Sequence, residues 1–164
     1  MQRLVEDLLV LARHDADASV STDAVDLDDI VLREVQHASE RTAATIDAGG
    51  VSAAQVHGDA RQLERLARNL LENAVRHTRA RIEVTLSARD GVATLEVHDD
   101  GPGIPLADQS RVFERFTRLD DARGRNSGGA GLGLAIVRDL LARAGGTVAI
   151  TAGESPWRTR AELR

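Results

Sequence analysis

The sequence predicts an α+β domain of two layers, with about three helices packed on one face of a mixed, mostly antiparallel sheet. Three observations predict it. Windows around residues 60–77 and 132–144 repeat apolar residues at helical spacing. Residues 81–98 alternate apolar and polar positions on either side of Arg89-Asp90-Gly91, a hairpin signal. Each segment has one apolar stripe or face, and packing helices over one side of a sheet buries all of them at once. With 164 residues, 42% of them apolar, the chain is long enough for one packed core. Phe113, Phe116 and Trp157 are its only aromatics, so the core is expected to be Leu, Val, Ile and Ala.

Taken in order, residues 1–17 put Leu4, Leu8 and Leu11 on one helical stripe with Val5 and Leu9 beside it. So short a helix cannot bury that stripe alone, and it reads as the end of a longer helix that packs on a partner. Residues 18–26 are small and polar and read as a linker, which leaves 27–164 as the folded domain. A helix is expected from Leu27 to about Thr42 with Asp26 as its N-cap. Two short strands follow, Ala44–Ile46 and Gln55–His57, around a turn at Gly49-Gly50. Gly58-Asp59 opens a long helix, Ala60–His77. The hairpin Arg81–Ala88 and Val92–His98 runs into a glycine loop, then a short helix near Leu106–Phe116. A polar loop, Leu119–Gly129, leads to a helix at Leu132–Ala144 that Gly145-Gly146 ends. Strands at Thr147–Thr151 and Thr159–Leu163 close the fold.

Composition excludes several classes of function. All 21 basic residues are arginine, so a Walker A phosphate loop and the protein-kinase strand lysine are both ruled out. There is no cysteine, hence no disulfide, zinc thiolate or thiol nucleophile. The net charge of −5 and the lack of a basic run speak against a nucleic-acid surface. No apolar run approaches a transmembrane length, and Met1 leads straight into an amphipathic pattern rather than a signal peptide. The expected location is cytoplasmic.

Four stretches carry chemistry. On the long helix, Leu63, Leu66, Leu70, Leu71, Ala74 and Val75 share the apolar face, while Asn69, Glu72, Asn73 and Arg76 occupy an arc about 100° wide opposite. Two asparagines four apart stack one turn above the other, and their carbonyl oxygens suit Mg²⁺, a hard ion held by few protein ligands plus phosphates. Alone, the arc reads more readily as a solvated helix face. Asp99-Asp100-Gly101-Pro102-Gly103 ends a strand; it is either an acidic turn or a loop that brings backbone close to a ligand beside a buried carboxylate. Gly128-Gly129-Ala130-Gly131-Leu132-Gly133-Leu134 opens a helix, where free N–H groups and the helix dipole favour an anion. It is not the dinucleotide fingerprint, because Leu134 and Ile136 stand where a third glycine would be needed. Phe113 and Phe116, three apart, are expected on one helical face.

The order and spacing of these stretches together resemble the catalytic ATP-binding domain of sensor histidine kinases, of the gyrase–chaperone–kinase–MutL superfamily (the Bergerat fold). GDARQLERLARNLLENAVRHT resembles the N box, VHDDGPGI the G1 box, VFERFTR the F box and GGAGLGLAIV the G2 box. The leading helix is similar to the end of the dimerisation domain. The resemblance implies that Asn73 holds Mg²⁺ with Asn69 assisting, and that Glu72 orients the acceptor's proton or a water. Arg76 and His77 would touch phosphates or ribose. Asp99 would accept the adenine amino group, with Gly101, Gly103 and Ile104 letting the base lie close. Leu119–Gly128 would be a lid, Arg118 a γ-phosphate contact, and Gly129, Gly131, Leu132 and Gly133 the phosphate cradle.

Two departures accompany the resemblance. Ala130 replaces a common Thr, and the C-terminal G-x-G-T-x-F pattern is reduced to Ser155–Ala161, in which Thr159 still aligns near the adenine edge. The family's acceptor motif, His-Glu followed by a basic residue, is absent, and His14, His37, His57 and His98 read as surface or structural histidines. The implied cofactors are ATP and Mg²⁺. The implied partners are a dimerisation and histidine phosphotransfer domain and a response-regulator receiver domain. The chain itself is expected to be monomeric and unable to phosphorylate itself, within a membrane-attached homodimeric receptor. A serine kinase of the anti-sigma-factor type and a non-catalytic nucleotide-sensing module are the alternatives.

Overall fold

The computed structural model of the chain describes residues 23–117, 131–151 and 157–163. In chain order these form β1 (Ala24–Asp26), α1 (Leu27–Ser39), β2 (Thr45–Val51), β3 (Gln55–His57), α2 (Ala60–His77), β4 (Arg81–Arg89) and β5 (Val92–Asp99). Two 3-10 turns follow, Leu106–Asp108 and Arg111–Phe113, then α3 (Gly133–Arg143), β6 (Thr147–Thr151) and β7 (Trp157–Leu163). The main sheet has the order β2-β4-β5-β7-β6. β2 and β4 are parallel and the other neighbours antiparallel.

Alternation builds the sheet as expected. Ile82, Val84 and Leu86 of β4, Ala93, Leu95 and Val97 of β5, and Ala161 and Leu163 of β7 are all buried. Their neighbours Glu83, Thr85, Glu96, Arg158 and Arg160 turn to the other, polar face. The β4–β5 hairpin closes on Asp90 and Gly91, both at positive φ (52° and 76°). That is the backbone a two-residue hairpin loop demands. The helices cover the apolar face with α2 in the middle, packed on α1 along one flank and α3 along the other. Leu66, Leu70, Leu71, Leu95, Ile136 and Leu141 are fully buried at the centre, each stabilising by about 1.5–3 kcal/mol.

Several local expectations are corrected. Ala24–Asp26, read as linker, is a strand paired with β3 in a separate two-stranded sheet. Asp26 stands at the N-cap position of α1 but caps nothing; it accepts instead from Gln55 Nε2 at 3.0 Å. The helix start is held from outside, by Leu27 N–H on Ala54 O (2.8 Å) and by Ala54 N–H on Asp28 Oδ1 (3.1 Å). α1 also ends at Ser39 rather than Thr42. Gly49-Gly50 is an irregularity within β2, where the register against β4 shifts, and not a turn between strands. The reason is the parallel partner: β4 draws the whole of Thr45–Val51 into the main sheet.

The helix expected at Leu106–Phe116 is two 3-10 turns, and the phenylalanines do not share a face. Phe113 is 8% exposed in the core, whereas Phe116, at φ 65°, is 59% exposed. α3 begins at Gly133, one residue later than expected, and β7 begins at Trp157, two residues earlier. The expected helix at 1–17 lies outside the described residues, as does the expected lid.

Candidate functional site

α2 starts where Asp59 accepts from the N–H groups of Arg61 (2.8 Å) and Gln62 (3.4 Å), the N-cap that Gly58-Asp59 signalled. Its buried face is Leu63, Leu66, Ala67, Leu70, Leu71 and Ala74. The polar arc is thereby turned out of the core. Asn69 donates Nδ2 to Arg65 O at 2.9 Å, which fixes the amide and commits Oδ1 to the other side. That side is the start of α3: a Cβ added at Gly133 would stand 3.2 Å from Asn69 Oδ1. Asn73, half buried one turn on, makes no side-chain hydrogen bond among the described residues.

The start of α3 is built for close approach. Leu132 is its N-cap residue and supplies no side-chain cap, so among the described residues no side chain takes up its first N–H groups. Leu132 itself is 2% exposed and anchors the turn in the core. Gly131, at φ 69°, accepts from Phe116 N–H at 3.0 Å, and a Cβ there would meet Thr117 O at 2.8 Å. The second glycine cluster is thus strapped to the end of the phenylalanine segment.

The adjacent carboxylates Asp99 and Asp100 have opposite surroundings. Asp100 takes Thr78 Oγ1 at 2.6 Å and the N–H groups of Arg79 (2.7 Å), Ala80 (3.1 Å) and Arg81 (3.2 Å). Thr78's hydroxyl and those backbone donors hold its carboxyl well below the usual range. Asp100 therefore ties the end of α2 to the start of β4. Asp99 is half buried and, among the described residues, receives only Gly101 N–H, at 2.9 Å. Burial pushes its carboxyl above the ordinary value, and that N–H and the nearby His77 only partly offset the shift. A half-buried carboxylate with spare acceptor capacity suits a hydrogen-bond donor on a ligand.

Gly101 is needed there, because a Cβ would come within 2.5 Å of both Asp99 Oδ1 and His77 O. Gly103 sits at φ 77° and Ile104 packs against the core. Thr159 pairs with Val97 in the sheet register, which places it on the helix-covered face two residues from Asp99's own strand partner, Trp157.

Asn69, Gly131, Leu132 and Gly133 are therefore brought together at one flank of α2, and His77, Asp99 and Gly101 at its end. Glu72 and Arg76 are not in that flank. They line a groove of about 250 Å³ between α1 and α2, with Glu34, His37, Arg41 and Arg68. The residues that sequence reasoning did not single out are on this side. Glu34, 3% exposed, receives Arg68 Nε at 3.0 Å and Nη2 at 2.8 Å. Burial pushes its carboxyl up, but Arg68, joined by His37, outweighs that and sets it below the ordinary value. The signal was present as oppositely charged residues at helical spacing on two segments, but only the packing pairs them. Arg118 and Gly129 lie outside the described residues.

For Mg²⁺ the donor set fits: Asn69 and Asn73 offer hard amide oxygens, and the described residues hold no cluster of three or more His, Asp or Glu that would bind a metal without phosphates. Residues 58–164 match the family described as histidine kinase-, DNA gyrase B- and HSP90-like ATPase. The chain belongs to that family.

Within this ATPase family, the chain is 40% identical over 169 residues to the probable sensor histidine kinase TcrY of Mycobacterium tuberculosis, covering 99% of this chain and 34% of that protein. It is 38% identical over 153 residues to the sensor protein RstB of Escherichia coli, covering 90% and 35%. The solved structure of the mycobacterial sensor histidine kinase MprB superposes with a TM-score of 0.77 at 32% identity, over 86% of this chain and 97% of that one. Full-length ShkA, in complex with AMPPNP, gives a TM-score of 0.79 at 29% identity, over 98% and 35%. These names favour the histidine-kinase branch over the serine-kinase and non-catalytic alternatives. The chain spans about a third of the length of the curated relatives it matches. No helix among the described residues is long and apolar enough to cross a membrane.

Proposed function

We propose that the chain binds ATP and presents its γ-phosphoryl group to a histidine on a dimerisation domain outside the chain, for relay to a response-regulator receiver domain. The observation that carries this is the Asp99–Gly101 corner: a half-buried carboxylate with open acceptor capacity over a floor on which no side chain fits. The adenine amino group would donate to Asp99 while Gly101, Gly103 and Ile104 let the ring lie close, with Thr159 at its edge. The phosphates would extend toward the start of α3, onto Gly129, Gly131, Leu132 and Gly133, with His77 and Arg118 as further contacts. Mg²⁺ held by Asn73 and Asn69 would neutralise phosphate charge. Glu72, although one residue from Asn73, lines the groove toward α1 and is given no part in the transfer.

Transfer of this kind depends on positioning and charge stabilisation, which matches a site made of fixed glycines and amides. The nucleophile belongs to the other domain, so the chain alone binds nucleotide without phosphorylating itself. We place it on the cytoplasmic side of a membrane-attached homodimeric receptor, itself monomeric when isolated. Calorimetric titration with ATP tests the reading, with and without Mg²⁺, on the wild type and on Asp99→Asn. Saturable binding that Mg²⁺ strengthens and the substitution weakens is expected. No binding by the wild type overturns it and returns the nucleotide-independent interaction module to the front.

A further inference from the structure

Asp100 stands between Asp99, the proposed adenine acceptor, and the buried Gly101, yet its carboxylate binds the segment that leaves α2. Oδ1 takes Thr78 Oγ1 at 2.6 Å and Arg79 N–H at 2.7 Å. Ala80 N–H lies 3.1 Å from both oxygens, and Oδ2 takes Arg81 N–H at 3.2 Å. The backbone returns the contact, since Asp100 N–H donates to Arg81 O at 3.3 Å. Arg79 and Ala80 are exposed and have no core contact to fix them, so this one carboxylate shapes the connection from α2 to β4.

The tie reaches one residue further back. His77 precedes Thr78, and its carbonyl oxygen crowds Gly101: a Cβ there would lie 2.5 Å from His77 O and 2.5 Å from Asp99 Oδ1. Gly101 N–H in turn donates to Asp99 Oδ1 at 2.9 Å. A closed ring results. It runs from the Asp100 carboxylate to Thr78, along the chain to the His77 carbonyl, across to Gly101 and back to Asp100. With Oδ1 of Asp99 committed to Gly101, the other oxygen is the one left for a ligand, and its place follows from where the ring sits.

We infer that Asp100 is a positioning residue for nucleobase selection: by holding residues 78–81 it sets the His77 carbonyl against Gly101 and so aims the second oxygen of Asp99 at the base's amino group. The inference rests on the proposed adenine contact of Asp99. A hydrogen bond weakens steeply with misalignment, so a small drift of that oxygen costs discrimination while the pocket still admits a purine. The proposed phosphate contacts at the start of α3 are not part of the ring. Loosening it should therefore fall on base choice and not on every nucleotide alike.

The test compares, by calorimetry on the full chain, ADP with inosine diphosphate, which carries a carbonyl oxygen where adenine carries its amino group. Melting temperature is read alongside. The wild type is expected to prefer ADP roughly a hundredfold, because the analogue leaves the Asp99 carboxylate facing an acceptor. Asp100→Ala should cut that preference to about tenfold or less, almost wholly by weakening ADP. Asp100→Asn keeps Oδ1 for Thr78 and Arg79 but sets an amide N–H against Ala80 and Arg81, so it should fall between. Asp28→Ala removes a carboxylate that accepts from Ala54 N–H at the start of α1; it should lower melting and keep the wild-type preference.

A folded Asp100→Ala with the wild-type preference, or with both nucleotides weakened equally, overturns the inference and leaves the adenine reading standing. A matching drop in Asp28→Ala also overturns it, as general loosening of the fold. If Asp100→Ala does not fold, Thr78→Val decides, since it removes only the hydroxyl donor: a preference lowered severalfold supports the inference and an unchanged one overturns it. A wild type that binds the two nucleotides equally, or neither, overturns the adenine reading and this inference together.

Discussion

On its α1 side, α2 meets charge: three ion pairs, two of them at 3.7 Å with arginines that are more than half exposed. Toward α3 it meets a glycine, and an added methyl group there would already press on Asn69 at 3.2 Å. The first flank tolerates tenths of an ångström, because long side chains adjust and water screens them. The second has less slack, because Gly133 offers only backbone there and the Asn69 amide facing it is held by Arg65 O. A helix that must both carry ligand groups and keep its place can separate the tasks in this way. Placement is set on the charged flank, and close approach is reserved for the flank where the phosphates are proposed to lie.

The largest effect is expected where the close contacts are tightest. Gly101→Ala forces a Cβ against Asp99 Oδ1 and His77 O, and unfolding by denaturant should show a loss of about 3 kcal/mol. If stability holds and only ATP binding suffers, the backbone at this corner is softer than the comparison requires. Asp99→Asn should weaken ATP about a hundredfold with little change in melting temperature, since it exchanges an acceptor for a partly donating amide; calorimetry reads this directly. Gly133→Ala should follow, displacing Asn69 and diminishing the gain in affinity that Mg²⁺ confers by about tenfold. Unchanged Mg²⁺ dependence would separate Asn69 from the metal.

Glu34→Gln probes the other flank and should cost about 1 kcal/mol. Breaking a buried pair can cost more, but Arg68 is 44% exposed and water takes up much of its charge.

Acid titration sharpens the contrast. Glu34's carboxyl is lowered by folding, so its contribution is present above the ordinary glutamate value and is lost as pH falls through the lowered one. Asp99's is raised, so the folded protein keeps a proton that the unfolded chain has shed. Stability therefore falls as pH rises through the window between the ordinary and raised values. ATP affinity should do the reverse there, rising as the Asp99 carboxylate forms, and calorimetry across that window should find no such rise in Asp99→Asn.

Much of this was legible in the chain. The alternation of Ile82, Val84 and Leu86 and the apolar column of Leu63, Leu66, Leu70 and Ala74 are periodic signals, and they placed the sheet and the central helix correctly. What failed was wherever a distant partner decided. β1 is too short and polar to announce itself, and only β3 makes it a strand. The Gly49-Gly50 pair looks like a turn until β4 runs beside it. Phe116 has helical spacing from Phe113, yet the bond to Gly131 turns it outward. In the candidate site, Asp99 and Asp100 are indistinguishable as letters; the four donors from Thr78–Arg81 separate them.

By itself, then, the sequence determined the layer architecture, the polar arc of α2 and the two glycine loops, because periodicity and glycine's backbone freedom act over a few residues. The tertiary structure alone decided that Asp100 is a tie and Asp99 an open acceptor. It also decided that Glu72 and Arg76 face α1 rather than α3, and that Glu34 is buried against Arg68. Those outcomes depend on groups tens of residues apart, whose electrostatics and sterics exist only once the helices are laid on the sheet.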